Sequence, residues 1–469
     1  MINEIRIENH EIFGDINVVL SDKAKLKNEN HFTLILGENG TGKSELLKSI
    51  LDSVVFMEVN DEAKRKRIKK NCKLNYEVNG LSNYTPPDYI ISSASTLNDK
   101  FPIKISASKY DEDRYKYLGI RSANNNAFVG KYRIVFFNSF KKIIEDNKRL
   151  SVLKTALIYY GFPLRFSFRF SLSKLAAPLK TYSDLMGDYQ SFVKTATQVF
   201  TKATFSNNMA RGKIIPIIND DRVMRAVYKS FNLLFNKEKQ YELQLNVDDV
   251  NSCCEYISIS EDINELVKYG LVTVEEFSII SSRSYGFKNA SSGQFNLFSS
   301  LLTLSAEIMD NTLLLIDEPE VSLHPKWQVM YISAVRRIVD EFKDCQVVIA
   351  THSHLLVSNM PLENSSVLVS KRDSDGYISF NELSSTPAGW SAESILYNVF
   401  GIITSRNSAF SLDLNIMAGV MSNWDDSPDT LNKFKDALER IKRFDLPEND
   451  PLKNFSEKAE EFLRSKLNA

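Results

Sequence analysis

Leu34-Ile35-Leu36-Gly37-Glu38-Asn39-Gly40-Thr41-Gly42-Lys43-Ser44-Glu45-Leu46-Leu47 is the stretch on which the fold turns. The apolar run from Phe32 to Leu36 predicts a buried strand, a glycine-rich turn follows, and helical spacing begins at Ser44. That strand, loop and helix order is the context in which the pattern GxxxxGK[ST] reads as a phosphate-binding loop. Gly37, Gly40 and Gly42 let the backbone turn N–H groups inward, with Glu38, Asn39 and Thr41 between them, and the helix start adds the positive end of its dipole. Lys43 can then reach the outer phosphates of a triphosphate, and Ser44 can ligand Mg²⁺.

Further apolar runs end in polar residues. Tyr89-Ile-Ile-Ser-Ser-Ala94 predicts a core strand, as does Thr312-Leu-Leu-Leu-Ile-Asp317, which is followed by Glu318-Pro319-Glu320. Gln346-Val-Val-Ile-Ala350 predicts another and leads into Thr351-His352-Ser353-His354. Four strands delivering polar side chains at their C-terminal ends fit a ligand crevice in a mostly parallel sheet. Asp317 can hold Mg²⁺, Glu318 can polarise an attacking water, and His352 can hydrogen-bond the outer phosphate or that water.

Outward from these strands, Ile5 and Ile7 and the run Ile16 to Leu20 alternate with polar neighbours, predicting an antiparallel pair joined near Gly14-Asp15. Lys64 to Lys70 carries six cations in seven residues. It reads as a solvated face or loop, with phosphate contact as the alternative. Arg121 is open between a phosphate ligand and a surface salt bridge. Between 126 and 275 helical segments (Val135–Asn147, Ser151–Tyr160, Asp184–Thr201, Asp221–Phe235) surround one strand, Leu164 to Phe170, whose Arg165, Phe166, Phe168, Arg169 and Phe170 suit an amphipathic core strand better than a base-stacking surface. Ser291-Ser292-Gly293-Gln294 precedes a helix from Phe295 to Met309. Asp373-Ser374-Asp375-Gly376 is a DxD that reads as a hairpin turn rather than a metal site. The residues after Arg406 read as helical and charged, so an effector nuclease is expected elsewhere than in this chain.

The chain has 469 residues, 43% hydrophobic and 25% charged, with a formal net charge of −1. This is the make-up of an ordinary globular protein, and it excludes a uniformly basic nucleic-acid binder. Cys72, Cys253, Cys254 and Cys345 form neither a disulfide framework nor a spaced zinc site. The sequence lacks a leader pattern and any long apolar run, and a cytoplasmic protein without a membrane span is expected.

Gly37 to Ser44, Ala290 to Gln294, Leu313 to Pro319, Ser322-Leu-His-Pro325 and Ala350 to Ser353, in that order, resemble the ABC-type ATPases. The opening Ile-Arg-Ile-Glu-Asn and the pairing of Asp-Glu-Pro-Glu with Leu-His-Pro resemble the branch of SMC-like, RecF-like and OLD-family proteins. The resemblance implies an α/β head with a mostly parallel central sheet and N-terminal antiparallel strands, plus a largely helical insertion and a helical C-terminal tail. Its implied parts are 1–125 and 276–402 for the two halves of the head, 126–275 for the insertion and 403–469 for the tail. It also implies ATP and Mg²⁺, and a signature loop at Ser291, Ser292, Gly293 and Gln294 that completes the nucleotide site of a second copy, so that a head-to-tail dimer or higher oligomer sandwiches ATP. Ala290 and Ser292 depart from the common signature. Within that branch, Ile90 to Ser95 with Asp99-Lys-Phe-Pro102, Tyr115 to Arg121, and Phe400 to Asn407 look like the ATPase subunits of Septu-type and retron-linked anti-phage systems. That likeness implies a separate nuclease partner of HNH type, and nucleic acid, DNA or retron msDNA, as a further partner. The alternatives are an SMC- or RecF-like DNA-repair ATPase, and a nucleotide-sensing scaffold in which hydrolysis is dispensable.

Overall fold

The computed structural model describes residues 1–21, 29–57, 72–76, 86–105, 113–121, 132–176, 179, 188–206, 208–235, 240–281, 285–286, 290–357, 359–361, 363–373, 375–383, 390, 395, 408–424, 427–442 and 451–467. The stretches Lys64–Lys70 and Phe400–Asn407 lie outside them. The chain divides into two compact units, Met1–Gly389 and Trp390–Ala469.

The large unit opens with β1 (Ile2–His10) and β2 (Gly14–Val19), an antiparallel pair, then β3 (His31–Gly37) and α1 (Lys43–Met57). The turn of that pair is Glu11 to Phe13, and Gly14 opens β2 with φ +62°. β4 (Cys72–Tyr76) pairs with the other edge of β1. β5 (Tyr89–Ala94) and β6 (Tyr115–Tyr117) follow.

The next segment holds α2 (Tyr132–Ile144), α3 (Asn147–Tyr160), β7 (Arg165–Leu172), α4 (Tyr189–Ser206), α5 (Asn208–Asn219), α6 (Asp221–Phe235), β8 (Gln240–Asn246), α7 (Val250–Lys268), β9 (Val272–Ile280) and β10 (Tyr285–Gly286). Its strands form an antiparallel sheet of order β10-β9-β7-β8, of which the sequence reading placed only β7. Phe166, Phe168 and Phe170 of β7 are 0% exposed and pack with Phe137, Phe140 and Phe277 in an aromatic core. They are therefore unavailable to stack bases. Arg169 is bound to Glu276 at 2.9 Å across the sheet.

The chain then returns with α8 (Ser292–Glu307), β11 (Thr312–Asp317), α9 (Pro325–Val339), β12 (Gln346–Thr351), α10 (His354–Val357), β13 (Ser365–Arg372) and β14 (Ile378–Glu382). The central sheet has the order β14-β13-β3-β12-β11-β5-β6. All its pairs are parallel except β13 with β14. β3, β11 and β12 are buried along their whole lengths, which is why they read as continuous apolar runs. Leu46, Leu47, Ile50 and Val54 of α1 pack with Ile5, Ile7 and Val18 of the N-terminal pair and with Ile35, Leu315 and Val348 of the central sheet.

Register places the site. Asp317 stands opposite both Ala94 and Ala350, Thr351 opposite Leu36, and Ser370 opposite Gly37. The C-terminal ends of five parallel strands thus lie within two residues of one row.

The small unit contains α11 (Ser408–Ser422), α12 (Pro428–Lys442) and α13 (Pro451–Leu467). They close around Met417, Phe434, Ala437, Leu438, Ile441 and Ala459. Asp413 of α11 is buried and takes a two-pronged ion pair from Arg440 of α12, with Nη2 at 2.7 Å.

Candidate active site

β3 ends at Gly37, and the chain turns through Glu38 to Gly42 before α1 begins at Lys43. Gly40 (φ +78°) and Gly42 (φ +79°) hold left-handed conformations that a side chain would strain. At Gly37 crowding decides: a Cβ there would meet the Ser370 carbonyl oxygen at 2.5 Å. The Ser370 hydroxyl donates to the Thr41 carbonyl at 2.5 Å, and Thr41 Oγ1 donates to the Glu38 carbonyl at 2.8 Å. The loop is thereby fixed from its neighbouring strand as well as from within.

Lys43 is 5% exposed, and its Nζ donates to the carbonyls of Gly37 (2.9 Å) and Glu38 (2.8 Å). Burial pulls its pKa down from the ordinary lysine value, opposed by the nearby carboxylates of Glu318, Glu320, Asp317 and Glu38. Ser44 Oγ donates to Asp317 Oδ1 at 3.0 Å, joining residues 273 positions apart. Asp317 is 2% exposed. Burial pushes its carboxyl up to about 7, with Ser44 pulling the other way and Glu318 reinforcing the rise. A buried acid so poorly solvated is one that a cation would discharge.

The chain then reverses. Glu318 has φ +47° and Ser322 φ +66°, both in the left-handed region although neither is glycine. The Glu318 N–H donates to the Ala350 carbonyl (2.9 Å), and the Leu323 N–H to the Glu320 carbonyl (2.9 Å). This turn brings two acids to His352, whose Nδ1 lies 3.0 Å from Glu320 Oε1 and 3.8 Å from Glu318 Oε1. Beyond His352, Ser353 Oγ donates to Gln328 Oε1 at 2.7 Å, and Gln328 Nε2 donates to the Leu323 carbonyl at 3.0 Å, tying β12 to the same turn.

The structure therefore gathers Gly37 to Ser44, Asp317, Glu318 and His352 at one end of the sheet. The contacts of Ser291 to Gln294 are of another kind. Ser291 caps α8 reciprocally with Gln294: Ser291 N donates to Gln294 Oε1 (3.0 Å), and Gln294 N to Ser291 Oγ (3.2 Å). Ser291 and Ser292 are exposed, and a Cβ on Gly293 would lie 2.3 Å from the Ser322 carbonyl. Arg121 is held by Asp99, with Nη2 at 3.3 Å, and by the carbonyl of Phe101, so it is an internal ion pair. The DxD is a turn: Asp373 Oδ1 accepts from the N–H of Asp375 (3.0 Å) and Tyr377 (2.8 Å), and Gly376 has φ +90°.

Sequence reasoning missed Ser370 and Glu320. Each is a polar residue at or just past the end of a buried strand, the same signal that singled out Asp317 and His352.

Known proteins bear on this geometry. A family model described as an AAA ATPase domain matches residues 1–357. The Septu protein PtuA of Bacillus thuringiensis is 24% identical over 426 residues, covering 87% of this chain and 86% of that protein. A probable ATPase of retron Vc95 from Vibrio cholerae serotype O1 biovar El Tor is 21% identical over 407 residues, covering 78% and 75%. Among solved structures, an Smc head bound to the C-winged helix domain of ScpA aligns with 82% of this chain and 97% of its own at a TM-score of 0.31 and 12% identity. With the family matched across the phosphate loop, the acidic strand end and His352, the chain belongs to the AAA ATPase domain family and is an ATPase.

Proposed function

We propose that the chain is the ATPase subunit of an anti-phage defence complex, in which ATP binding and slow hydrolysis control a separate nuclease of HNH type. The observation that carries the reading is the joining of Ser44 to Asp317 at 3.0 Å beside a turn that delivers Glu318 to His352, in a chain similar to a Septu protein along most of its length.

The residues divide the work by their chemistry. Backbone N–H groups of Gly37 to Ser44 and the start of α1 cradle the phosphates, and Lys43 exchanges its two carbonyl partners for phosphate oxygens. Glu318 polarises the attacking water, and His352 hydrogen-bonds that water or the outer phosphate. Mg²⁺, when bound, supplies positive charge against the phosphate oxygens. Among the described residues no cluster of three His, Cys, Asp or Glu is placed to hold a metal alone. Ser44 and Asp317, joined at 3.0 Å, would be the protein's share of its ligands, with phosphate and water supplying the rest.

Ser291, Ser292, Gly293 and Gln294 complete the nucleotide site of a second copy, so the working unit is a head-to-tail dimer or larger. The exposure of Ser291 and Ser292 at a helix start supports this, since such a terminus favours a phosphate approaching from outside.

Glu318→Gln is the test. It is expected to retain ATP, reduce turnover at least about 100-fold and abolish protection against phage. Unchanged protection with turnover lost would replace the hydrolytic reading with a nucleotide-sensing scaffold. Native mass measurement with and without ATP, alone and with the product of the neighbouring gene, reads the oligomer and the nuclease partner. A mass that ATP leaves at that of one chain would sink the sandwich.

A further inference from the structure

Glu320 lies two residues beyond the acid assigned to water activation, yet it faces inward. The residue is 4% exposed, and among the described residues its side-chain contacts converge on one oxygen. Oε1 accepts from Thr351 Oγ1 at 2.6 Å and from the His352 backbone N–H at 2.8 Å, and it lies 3.0 Å from His352 Nδ1. Oε2 is buried with no hydrogen-bond partner among the described residues. A carboxylate removed from water and served on one side only is costly to keep. Its two donors and the ring nitrogen beside it all belong to the end of β12.

We propose that Glu320 is a positioning residue that fixes the proton of His352 on Nδ1 and so reserves Nε2 for the reacting phosphate or water. The inference rests on the reading of His352 as part of the hydrolytic site. A ring nitrogen facing a carboxylate keeps its hydrogen whether the ring is neutral or charged. Neutral His352 therefore presents a lone pair at Nε2, and charged His352 presents a donor there. Glu318 cannot fix the ring, because its nearest oxygen stands 3.8 Å away, outside hydrogen-bond range. Glu320 is itself immobilised, bonded to β12 through its side chain and to Leu323 N–H through its carbonyl at 2.9 Å. One short turn thus carries both the acid that polarises water and the acid that orients the imidazole beside it.

The test begins with the full-length wild-type protein, nucleotide-free at pH 8 and labelled with ¹⁵N-histidine. Of its five histidines, His352 is identified by the signal lost in His352→Ala. The expected spectrum shows a protonated Nδ1 and a bare Nε2. In turnover assays Glu320→Ala is expected to lower kcat about 10–100-fold with KM within about 2-fold, and Glu320→Gln, which keeps an acceptor oxygen, to fall between it and wild type. In a His352→Ala background the same Glu320→Ala change should cost less than about 2-fold. An Nε2-protonated ring in the wild type overturns the proposal, as does a Glu320→Ala cost that persists in full without the imidazole. If the Glu320 variants do not fold, the wild-type spectrum decides alone. Full turnover in His352→Ala would instead overturn the hydrolytic role of His352, and the spectrum separates that outcome from a failure of Glu320 to hold the ring.

Discussion

Gly42 carries two independent reasons to be glycine. Its φ of +79° disfavours any side chain, and a Cβ would lie 2.4 Å from the ring of Phe13, which is buried under the phosphate loop. Gly42→Ala is expected to destabilise the fold by about 1–3 kcal/mol and weaken nucleotide binding at least about tenfold, as read by denaturant titration and a fluorescent ATP analogue. Asp317 is the opposite case, a residue that stability alone would not keep. Its folded-state value of about 7 lies above the ordinary 3.8, so its ionisation costs stability as pH rises through that window. Asp317→Asn should therefore stabilise the nucleotide-free protein by on the order of 2 kcal/mol at pH 8, while abolishing Mg²⁺-dependent turnover. The gain should vanish at pH 4, where the wild-type carboxyl is largely protonated, and a gain unchanged between the two pH values would contradict the assignment. That Lys43, Ser44 and Asp317 come together was legible because local spacing places each of them at a strand end or in the loop that follows it. Glu320 carried the same strand-end signal, but its contact with His352 exists only once the left-handed turn at Glu318 folds it back onto the next strand.

Among the elements, strands buried on both faces announced themselves as unbroken apolar runs, and α1 and α9 by their spacing. The antiparallel sheet beside them was hidden. β8 (Gln-Tyr-Glu-Leu-Gln-Leu-Asn) buries only Leu243 and Leu245, and Glu275 and Glu276 interrupt the apolar pattern of β9. Pro216 sits inside α5, where it reads as a breaker. α8 depends on a neighbour that sequence could not name. Arg149 of α3 donates to the carbonyls of Ser305 (2.8 Å) and Ile308 (2.6 Å) at its C-terminal end, where a cation also suits the helix dipole. Arg149→Ala leaves those buried carbonyls without their donor and should cost about 2–3 kcal/mol in a urea titration. A loss under about 0.5 kcal/mol would show that water replaces the guanidinium there.

At the scale of the molecule, two compact units predict two unfolding events in calorimetry. Phe434, 0% exposed in the core of the small unit, supplies the check. Phe434→Ala should lower one transition by an amount equivalent to about 3–5 kcal/mol and leave the other in place, whereas a joint shift would mean the units melt together. The row of strand ends has a consequence for how the protein is made. Ser370 holds the phosphate loop from 329 positions further along the chain, so the site closes only after that whole stretch has left the ribosome. A growing polypeptide would carry its lysine early and remain unable to burn fuel until that strand arrives, which keeps such unfinished copies silent.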